Sequence, residues 1–443
     1  MRDPVRRRRQ PAKDFQVESD KKAACKRGFQ KKGRLVVAVA VTLACLIFYF
    51  RLSDPPLEYE HFGLIFAVSM AVNRAGIERN FQQKGRFAVV VMLACISLYF
   101  YLTGQPLGLD CLTDEERAEL KREEPALIAN LTANSPYQLG RFCDSAGDCF
   151  IVEQRYVKTR EGLRAQRIIM YELNDKMAPL TMANLKTPEI ITAHYLVHEQ
   201  WTVNPALPSA QIHLQIATGF MLEGLSFDPP RDDSAAPVQQ LQQPQRVLQI
   251  GMGGGTTTGY LRTLPIQLHM DIVEPEPAMY EAAKRWFDFP NAEPNIDVHI
   301  MDGVVFLKQA AESGLTYDSV VLGASSVSPT TATISWPHPM FMEEDAMDAM
   351  SKVIGSHGVL SVFMLMPMDQ ERQQEKVIRK FAAHFRSCSA LKIYADGQKF
   401  LVCSNRDGFT WTAHRARMID NLEEFDDIMG TFIAPHLDKL NPV

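Results

Sequence analysis

The carboxyl-terminal half of the chain alternates apolar runs of strand length with stretches of helical pattern. Each apolar run is followed by a turn that contains glycine or an acid, and then by an amphipathic segment. The predicted strands are Val247–Ile250, a run that ends at Glu274, Ile296–Ile300 and Tyr317–Leu322. This alternation predicts parallel strands joined by crossover helices, and therefore a doubly wound α/β domain over residues 246–443.

A different pattern precedes that domain, in residues 111–227. A charged helical stretch, Asp114–Glu124, is followed by two runs in which apolar and polar residues alternate, CFIVEQRYVKT and LRAQRIIMYEL. Alternation of this kind predicts strands with one buried face. We therefore expect a helical and β-rich lobe ahead of the doubly wound domain. Residues 228–245 are polar and rich in Pro and Gln, which predicts a flexible insertion.

Two apolar runs near the amino terminus have the composition of membrane spans. Leu35–Phe50 and Phe87–Leu102 are apolar throughout, and their flanks repeat almost identically, as Phe29–Arg34 does in Phe81–Arg86. Both runs are at the short end of the length that crosses a bilayer. The repeat leaves two alternatives open. One is a two-span hairpin, and the other is a duplicated exon or joined gene model in which a single copy spans.

The charges around these runs favour one orientation. Residues 1–34 are strongly basic, which predicts a disordered tail on the cytosolic side. The loop between the two copies is also basic, whereas Gly108–Glu116 contains acids and no Lys or Arg. Within the anchor region 35–107 we therefore favour a single-pass type II span at Phe87–Leu102, with the large domain in the lumen of the endoplasmic reticulum or Golgi. Two spans and a cytosolic domain are the alternative.

Cysteine usage and one short motif favour the same side. The chain has 443 residues, is 46% hydrophobic and carries a net charge of −5, as a globular protein does. Cys143 with Cys149, and Cys388 with Cys403, are placed for a small loop and a cross-strand disulfide, with buried thiols as the alternative. Asn130-Leu131-Thr132 is a glycosylation sequon, a triplet that also occurs by chance. Together these features favour a lumenal glycoprotein.

The turn after the first predicted strand is nearly all glycine, which permits φ > 0 and lets a ligand approach the backbone. Its glycines are Gly251, Gly253, Gly254 and Gly255. Glu274, at the end of the second strand, suits the two hydroxyls of a ribose. Asp302, followed by Gly303 at the end of the third, can accept a hydrogen bond from an adenine amino group, and a helix cap is its competing explanation. These features predict a nucleoside-type cofactor, against the alternative of a tight turn without a ligand.

The motifs IGMGGG, IVEPEP and HIMDG resemble the S-adenosylmethionine-binding motifs of class I methyltransferases. More closely, they resemble the spermidine-synthase-like group, which comprises the aminopropyltransferases and the methyltransferase-like proteins that share their fold. The resemblance covers about Cys149–Asp427 and is strongest over Arg246–Val321. It implies a Rossmann-like methyltransferase domain, S-adenosylmethionine as cofactor, and a small β-domain that covers the active site.

The fourth predicted strand departs from that family pattern. Family members carry acids just after this strand, typically as D-x-S-D-P, and in the synthases the first acid is the base for the amine. Here Gly323 and Ser326 stand at the two acidic positions. An amine must lose a proton when it attacks the sulfonium, so polyamine synthesis is disfavoured, whereas methyl transfer gains much of its rate from proximity. No catalytic residue is assigned from the sequence; His338, the nearest titratable residue to the missing acid, is a candidate base, with an exposed loop histidine as the alternative.

The segment His194-Tyr-Leu-Val-His198 places two histidines four residues apart, on one face of a predicted helix. A metal site would need a third ligand that the sequence does not offer, so no metal is predicted. In the family this region approaches the substrate, which makes both histidines substrate-side candidates.

Four functions stay open on the sequence. They are a membrane-anchored S-adenosylmethionine-dependent methyltransferase, a non-catalytic binding or scaffold module, an aminopropyltransferase disfavoured by Gly323, and a nicotinamide dehydrogenase disfavoured by GMGGG. Because S-adenosylmethionine is made in the cytosol, a lumenal domain would need it imported. The predicted partners are the membrane, S-adenosylmethionine and an unknown acceptor, for which a protein is one candidate. A homodimer is a further candidate, and no nucleic-acid partner is predicted.

Overall fold

The computed structural model describes residues 113–144, 147–173, 176–227, 244–327, 334–365, 371–392, 398–435 and 440–442. The basic tail, both apolar runs and almost all of the predicted insertion lie outside these ranges. Within them, no helix combines the length and the apolar character that a membrane crossing requires. The chain divides into two units between Glu123 and Glu124, and both large sheets fall in the second unit, Glu124–Val443.

Helix α1, Asp114–Ala133, is the first described element. It begins with a capping box, in which the Glu116 carboxylate accepts the N–H of Thr113 at 2.8 Å and the Thr113 hydroxyl accepts the N–H of Glu116 at 3.3 Å. The helix continues past its predicted end at Glu124 and runs through Pro125. Burial of Leu131 near its carboxyl end favours this extension over the loss of one backbone hydrogen bond at proline.

Four antiparallel strands follow α1, in the sheet order β1-β2-β3-β4. They are β1 (Tyr137–Cys143), β2 (Cys149–Thr159), β3 (Gly162–Leu173) and β4 (Lys176–Asn184). The two alternating runs of the sequence form β2 and β3, so these predicted strands are confirmed. In β2 the alternate residues Val152, Gln154 and Tyr156 are buried on the inner face of the sheet.

A connecting segment leads from this sheet to the larger one. It contains two short 3₁₀ helices, Ala193–Leu196 and His198–Gln200, and then helix α2, Ala210–Met221. The Ser209 hydroxyl caps α2 by accepting the N–H of Ile212 at 3.4 Å.

The second half of the chain forms an eight-stranded sheet with the order β14-β12-β13-β11-β8-β5-β6-β7. The strands are β5 (Gln245–Ile250), β6 (Leu268–Val273), β7 (Ile296–His299), β8 (Ser319–Leu322), β11 (Val359–Leu365), β12 (Ser387–Lys392), β13 (Gln398–Ser404) and β14 (Leu440–Pro442). A separate pair is formed by β9 (Ser326–Val327) and β10 (Ile334–Ser335). The chain runs outward from β5 to β7 and returns to β8 on the other side of β5. A topological switch point therefore lies between β5 and β8.

Helices cover both faces of this sheet. They are α3 (Thr256–Leu261), α4 (Pro277–Trp286), α5 (Gly303–Glu312), α6 (Glu344–Val353), α7 (Glu371–His384) and α8 (Arg415–Met429). One core contains Leu248 with residues of α5, α6 and α7, and the other contains Val247 with residues of α2, α3 and α8. Neighbouring residues of β5 thus face opposite cores, and the predicted Rossmann-like α/β fold is confirmed.

The sequence of Phe341–Ile354 predicts one continuous helix, and this prediction is wrong at its start. A 3₁₀ turn, Pro339–Met342, comes first, and α6 begins only at Glu344 because Glu343 is extended, with φ −73° and ψ 148°. The break lets Phe341, which is 2% exposed, pack against Gly303 at the start of α5.

The structure contains two disulfides, Cys143–Cys149 and Cys388–Cys403. The first joins β1 to β2, the second joins β12 to β13, and each links residues that are directly opposite in an antiparallel pair. Of the two alternatives for these four cysteines, the structure therefore has the disulfides. Asp396-Gly397, between β12 and β13, has the sequence of a two-residue hairpin turn, and this predicted turn lies outside the described residues.

Candidate functional site

The glycine-rich turn after β5 closes against the end of β8. Gly251, Gly253 and Gly255 have positive φ values of 84°, 53° and 71°. A Cβ atom at Gly251 would lie 2.7 Å from the backbone nitrogen of Ala324. Glycine is therefore required at Gly251 both by the backbone conformation and by the close approach of the two strand ends. The turn stands at the switch point, where open α/β sheets bind ligands.

Two glycines of the turn are needed for packing. A Cβ atom at Gly254 would lie 2.9 Å from the Phe287 ring, and one at Gly255 would lie 2.5 Å from the Phe289 ring. Both glycines are buried, whereas Gly251 and Gly253 are half-buried. Of the four glycines predicted to bind a cofactor, Gly251 and Gly253 thus line the carboxyl edge of the sheet, and Gly254 and Gly255 pack against aromatic rings.

Glu274 follows β6 and joins its end to the glycine-rich turn. The residue is 7% exposed, and its carboxylate accepts the N–H of Met252 at 3.0 Å and the N–H of Glu276 at 3.2 Å. Burial raises the pKa of Glu274, while the N–H groups of Met252, Glu276 and Gly253 act in the opposite direction. The carboxylate has lone pairs beyond these bonds, because each oxygen can accept more than one hydrogen bond.

Asp302 follows β7 and caps α5. One carboxylate oxygen, Oδ1, accepts the N–H groups of Val304 at 2.8 Å and Val305 at 2.9 Å. The helix-cap explanation is therefore confirmed. The other oxygen has no hydrogen-bond partner among the described residues, so the cap and a ligand contact are compatible. Gly303 is needed for packing, since a Cβ atom there would lie 2.8 Å from the Phe341 ring and 2.9 Å from Ile250 Cγ2.

Gly323, the position of the family's acid, follows β8 at the same edge. Its N–H donates to the Ile250 carbonyl at 2.8 Å, and its own carbonyl accepts the indole N–H of Trp336 at 3.0 Å. The nearest atoms to a Cβ built at Gly323 are the carbonyl oxygens of Ile250 and Gly251, both at 3.6 Å. The position therefore has room for a side chain, and steric crowding does not explain its glycine. Residues 323–335 contain no Asp, Glu, His or Lys.

His338 is held at this edge by its backbone and its ring. Its N–H donates to the Ala324 carbonyl at 2.9 Å, and its Nδ1 accepts the N–H of Met340 at 3.3 Å. Burial lowers the pKa of His338, and the charge of Asp302 acts in the opposite direction. With Nδ1 used as an acceptor, the neutral ring carries its proton on Nε2. The ring thus has a donor to offer a ligand, and its basic lone pair is already engaged.

The predicted helix that would carry His194 and His198 on one face is wrong. The two residues lie in separate 3₁₀ turns, because Val197 between them is extended, with φ −82° and ψ 102°. His198 stacks on the Tyr137 ring at 3.6 Å between ring centroids, and its Nδ1 lies 2.7 Å from the Tyr156 hydroxyl. Burial lowers the pKa of His198. His198 therefore belongs to a polar network of the four-stranded sheet, which His194 does not join.

The centre of that network is Arg167, which is not among the residues predicted from the sequence. The guanidinium, 3% exposed, donates to the Gln154 side-chain oxygen at 2.6 Å and to the Trp201 carbonyl at 2.9 Å. It also donates to the Trp286 carbonyl at the carboxyl end of α4. Arg167 thus ties the four-stranded sheet, the segment after His198 and α4 together. One feature of the sequence could have indicated Arg167: it is a charged residue at an inward-facing position of the alternating run that forms β3.

A cluster of polar residues lies at the opposite, amino edge of the sheet. His269, Asp271 and Asp297 have ligand-type atoms within 4.8 Å of one another. Asp271 already accepts hydrogen bonds from His299 at 2.8 Å, Arg246 at 2.9 Å and Tyr317 at 3.0 Å. These donors include a guanidinium, which competes with a cation for the carboxylate. We assign the cluster to the stability of the sheet.

Asp318, directly before β8, lies at that amino edge too. Its carboxylate accepts the N–H of Arg246, the second residue of β5, at 2.7 Å. It is therefore remote from the glycine-rich turn, which follows the other end of β5.

Curated relatives of the chain include proteins of two classes, and no family model matches the chain. A polyamine aminopropyltransferase of Vibrio vulnificus is 37% identical over 103 residues, which cover 23% of this chain and 30% of the relative. The human eEF1A lysine and N-terminal methyltransferase is 30% identical over 129 residues, which cover 27% of this chain and 17% of the relative. The chain thus spans less than a third of the length of these relatives.

Solved structures that align with the chain include members of both classes. Human methyltransferase-like protein 13 in complex with SAH aligns with a TM-score of 0.39 and 22% identity, over 48% of this chain and 90% of that one. Spermidine synthase from Thermotoga maritima aligns with a TM-score of 0.35 and 13% identity, over 67% of this chain and 96% of that one. The curated relatives confirm the resemblance to the spermidine-synthase-like group of class I methyltransferases.

Proposed function

We propose that this chain binds S-adenosylmethionine at the carboxyl edge of its eight-stranded sheet and transfers the methyl group to an acceptor. The observation that carries the proposal is the Glu274 carboxylate, which is buried at the switch point and fixed against the glycine-rich turn by the Met252 N–H. A buried acid with free lone pairs beside a turn of positive φ suits a ribose. Relatives named as methyltransferases of eEF1A lysine and N-terminus make a protein the acceptor class to test first.

Each residue at the edge has a distinct part in this proposal. Gly251 and Gly253 let the cofactor approach the backbone, and Glu274 accepts the ribose hydroxyls. The free oxygen of Asp302 accepts the adenine amino group, while its Oδ1 keeps α5 in place. When bound, S-adenosylmethionine supplies a methyl group on a positively charged sulfur. The chain's contribution is therefore to bind, to orient and to exclude water.

The acceptor side of the site favours methyl transfer over aminopropyl transfer. Gly323 provides no carboxylate to hold or deprotonate an ammonium group, and His338 has its basic lone pair engaged by Met340. An acceptor must then arrive without its proton or lose it to solvent. Methyl transfer tolerates this arrangement better, because proximity alone contributes several kcal/mol to the rate, about 7 or more in favourable cases.

Isothermal titration calorimetry on the full-length chain tests the proposal. We expect S-adenosylmethionine to bind with a Kd on the order of micromolar, about −8 kcal/mol, and more tightly than its decarboxylated form. Preference for the decarboxylated form would replace methyl transfer by aminopropyl transfer. Absence of binding by the folded chain would overturn the proposal.

A non-catalytic binding module is the second candidate, and two observations favour it. No base is available among residues 323–335, and a domain in the lumen would depend on imported cofactor. A methyltransferase transfers the methyl group of its cofactor to an acceptor, whereas a binding module does not. Incubation with S-adenosylmethionine labelled in its methyl group and with a cell lysate whose own methyltransferases have been inactivated by heat gives labelled protein in the first case, and bound cofactor without labelled protein in the second.

Asp302 provides a prediction that separates its two roles. Asp302→Ala removes the cap and should cost about 1 kcal/mol of folding free energy. Asp302→Ser keeps a capping oxygen but has no second oxygen for adenine. We expect Asp302→Ser to unfold close to wild type in urea and yet to bind S-adenosylmethionine more weakly in calorimetry. Wild-type affinity in Asp302→Ser would restrict this residue to its cap.

The raised pKa of Glu274 predicts how binding depends on pH. The ionised carboxylate accepts the ribose hydroxyls, so protonation removes acceptor capacity. Because burial raises the pKa of Glu274, affinity should begin to fall at a higher pH than an ordinary glutamate would give. By linkage, binding near that pH releases a proton. Calorimetry in two buffers of different ionisation enthalpy measures this release, and equal heats in the acid range would contradict the assignment.

The proposal includes a membrane anchor at Phe87–Leu102. Its apolar composition and the basic residues before it support this. We expect the full-length chain to stay with the membranes after alkaline carbonate extraction, and a variant lacking residues 35–107 to be released. Release of the full-length chain would exclude the anchor.

A further inference from the structure

The sequence contains a single Asn-X-Ser/Thr triplet, Asn130-Leu131-Thr132. The structure places it in the last turn of α1, Asp114–Ala133. Asn130 is exposed, whereas Leu131 beside it is 1% exposed in the core of the four-stranded sheet. The two side chains therefore leave the helix in different directions. A group attached to Asn130 would extend into solvent.

The hydrogen bonds of this turn leave the side-chain nitrogen of Asn130 free. The side-chain oxygen of Asn130 accepts the Asn134 amide at 3.1 Å, and its Nδ2 has no partner among the described residues. The Thr132 hydroxyl donates to the Ile128 carbonyl at 2.8 Å. Ala126, one turn before Asn130 on the same face, is exposed and small. A substituent on Asn130 Nδ2 would thus displace no packed side chain and break no hydrogen bond.

The two disulfides are an independent observation on the compartment. Cys143–Cys149 lies in the four-stranded sheet and Cys388–Cys403 in the eight-stranded sheet. Cys388 and Cys403 are 2% and 0% exposed, so this bond belongs to the core of the folded chain. Disulfides form and persist in the secretory pathway and outside the cell, and are rare in the cytosol. Asparagine sequons of secreted proteins are glycosylated in those same compartments.

From the exposed sequon and the two disulfides together, we infer that Asn130 carries an N-linked oligosaccharide and that residues after Leu102 fold in the lumen. In the modification, Asn130 Nδ2 forms a bond to the anomeric carbon of the oligosaccharide. The bond between that carbon and the pyrophosphate oxygen of a lipid-linked donor breaks. The amide loses one proton, and the lipid pyrophosphate leaves with the bonding electrons. The favoured orientation of Phe87–Leu102 places the sequon on the side where this donor acts.

The test uses the full-length chain expressed in cultured animal cells and treated with peptide N-glycosidase. We expect the enzyme to increase the gel mobility of the wild-type chain by the mass of one glycan. Asn130→Gln and Thr132→Ala should migrate at the deglycosylated position and be unaffected by the enzyme. Thr132→Ser keeps the hydroxyl and should keep the shift. Asn134→Gln is the matched control, because Asn134 is not part of a sequon, and it should also keep the shift.

Thiol labelling provides a second measurement on the same sample. With the chain denatured but not reduced, Cys143, Cys149, Cys388 and Cys403 should resist a maleimide reagent and should react after reduction. A wild-type chain whose mobility the enzyme leaves unchanged would overturn the glycan. Labelling of these cysteines without reduction would overturn the lumenal location. Neither outcome depends on cofactor binding, so the inference and the proposed function can fail separately.

Discussion

We expect the Glu274→Ala variant to bind S-adenosylmethionine about two to four orders of magnitude more weakly than the wild-type chain. Two ribose hydroxyls would lose a charged acceptor, and hydrogen bonds to charged groups contribute about 1.5–3 kcal/mol each. Their sum of about 3–6 kcal/mol corresponds to that range at about 1.4 kcal/mol per tenfold change. Calorimetry on the full-length variant measures it. The thermal unfolding temperature of the variant should also be modestly lower, since the buried Met252 N–H loses its acceptor.

Two further variants separate the loss of the ligand contact from damage to the turn. Glu274→Gln keeps a side-chain oxygen for the Met252 N–H but removes the charge and one acceptor, so it should unfold near wild type and still bind weakly. Glu312→Ala changes an exposed glutamate at the last residue of α5, at the opposite edge of the sheet, and should bind normally. Wild-type affinity in Glu274→Ala would refute the ribose assignment.

The sequence was sufficient to predict the edge at which the candidate site lies. Carboxyl ends of parallel strands meet at one edge, so residues that follow strands, such as Gly251, Glu274 and Asp302, were expected to come together. The residue type at each position then indicated its role. A run of glycine after a strand is explained by backbone conformation, and the structure gives Gly251, Gly253 and Gly255 positive φ values. These inferences depend on neighbours in sequence or on strand order.

Features that depend on distant contacts were not predictable in the same way. Gly254 is required by the Phe287 ring, and Gly255, besides its positive φ, is required by the Phe289 ring. Nothing near the turn in sequence indicates those rings. The break at Val197 likewise separates His194 from His198, although their spacing suits a helix. Tertiary packing overrides local pattern at such positions. The spacing of residues in sequence was therefore a reliable guide to strands and an unreliable one to helical faces.

Arg167 shows why a buried polar network escapes prediction from sequence. Among its acceptors are the carbonyls of Trp201 and Trp286, and every residue has a carbonyl, so no residue type identifies the partner. The side-chain partner, Gln154, faces it from the neighbouring strand β2, and it also donates to Tyr156. Such a network becomes visible only when the strand register and the position of α4 are known.

We expect Arg167→Met to lower the free energy of unfolding by about 3 kcal/mol, in line with the loss of a buried charged hydrogen-bonding group. Methionine fills part of the volume but leaves the Trp201 and Trp286 carbonyls and the Gln154 side chain without a donor. Each buried group left unpaired costs about 1–3 kcal/mol. The variant also no longer buries a cation, and the desolvation free energy that this recovers offsets part of the loss. Burial lowers the pKa of Arg167, which is the direction that desolvation of a cation gives. Urea unfolding of the full-length chain measures the difference.

Arg164→Met is the matched control on the same strand. Arg164 lies on β3 with its side chain 59% exposed, and its ion pair with Glu161 spans 4.0 Å, so its removal should change stability by less than about 0.5 kcal/mol. Arg167→Lys should lie between wild type and Arg167→Met, because an ammonium group cannot reach acceptors on three segments as the guanidinium fork does. Equal unfolding curves for Arg167→Met and Arg164→Met would show that relief of desolvation offsets the lost hydrogen bonds. The network would then fix how the four-stranded sheet packs on α4 without adding net stability.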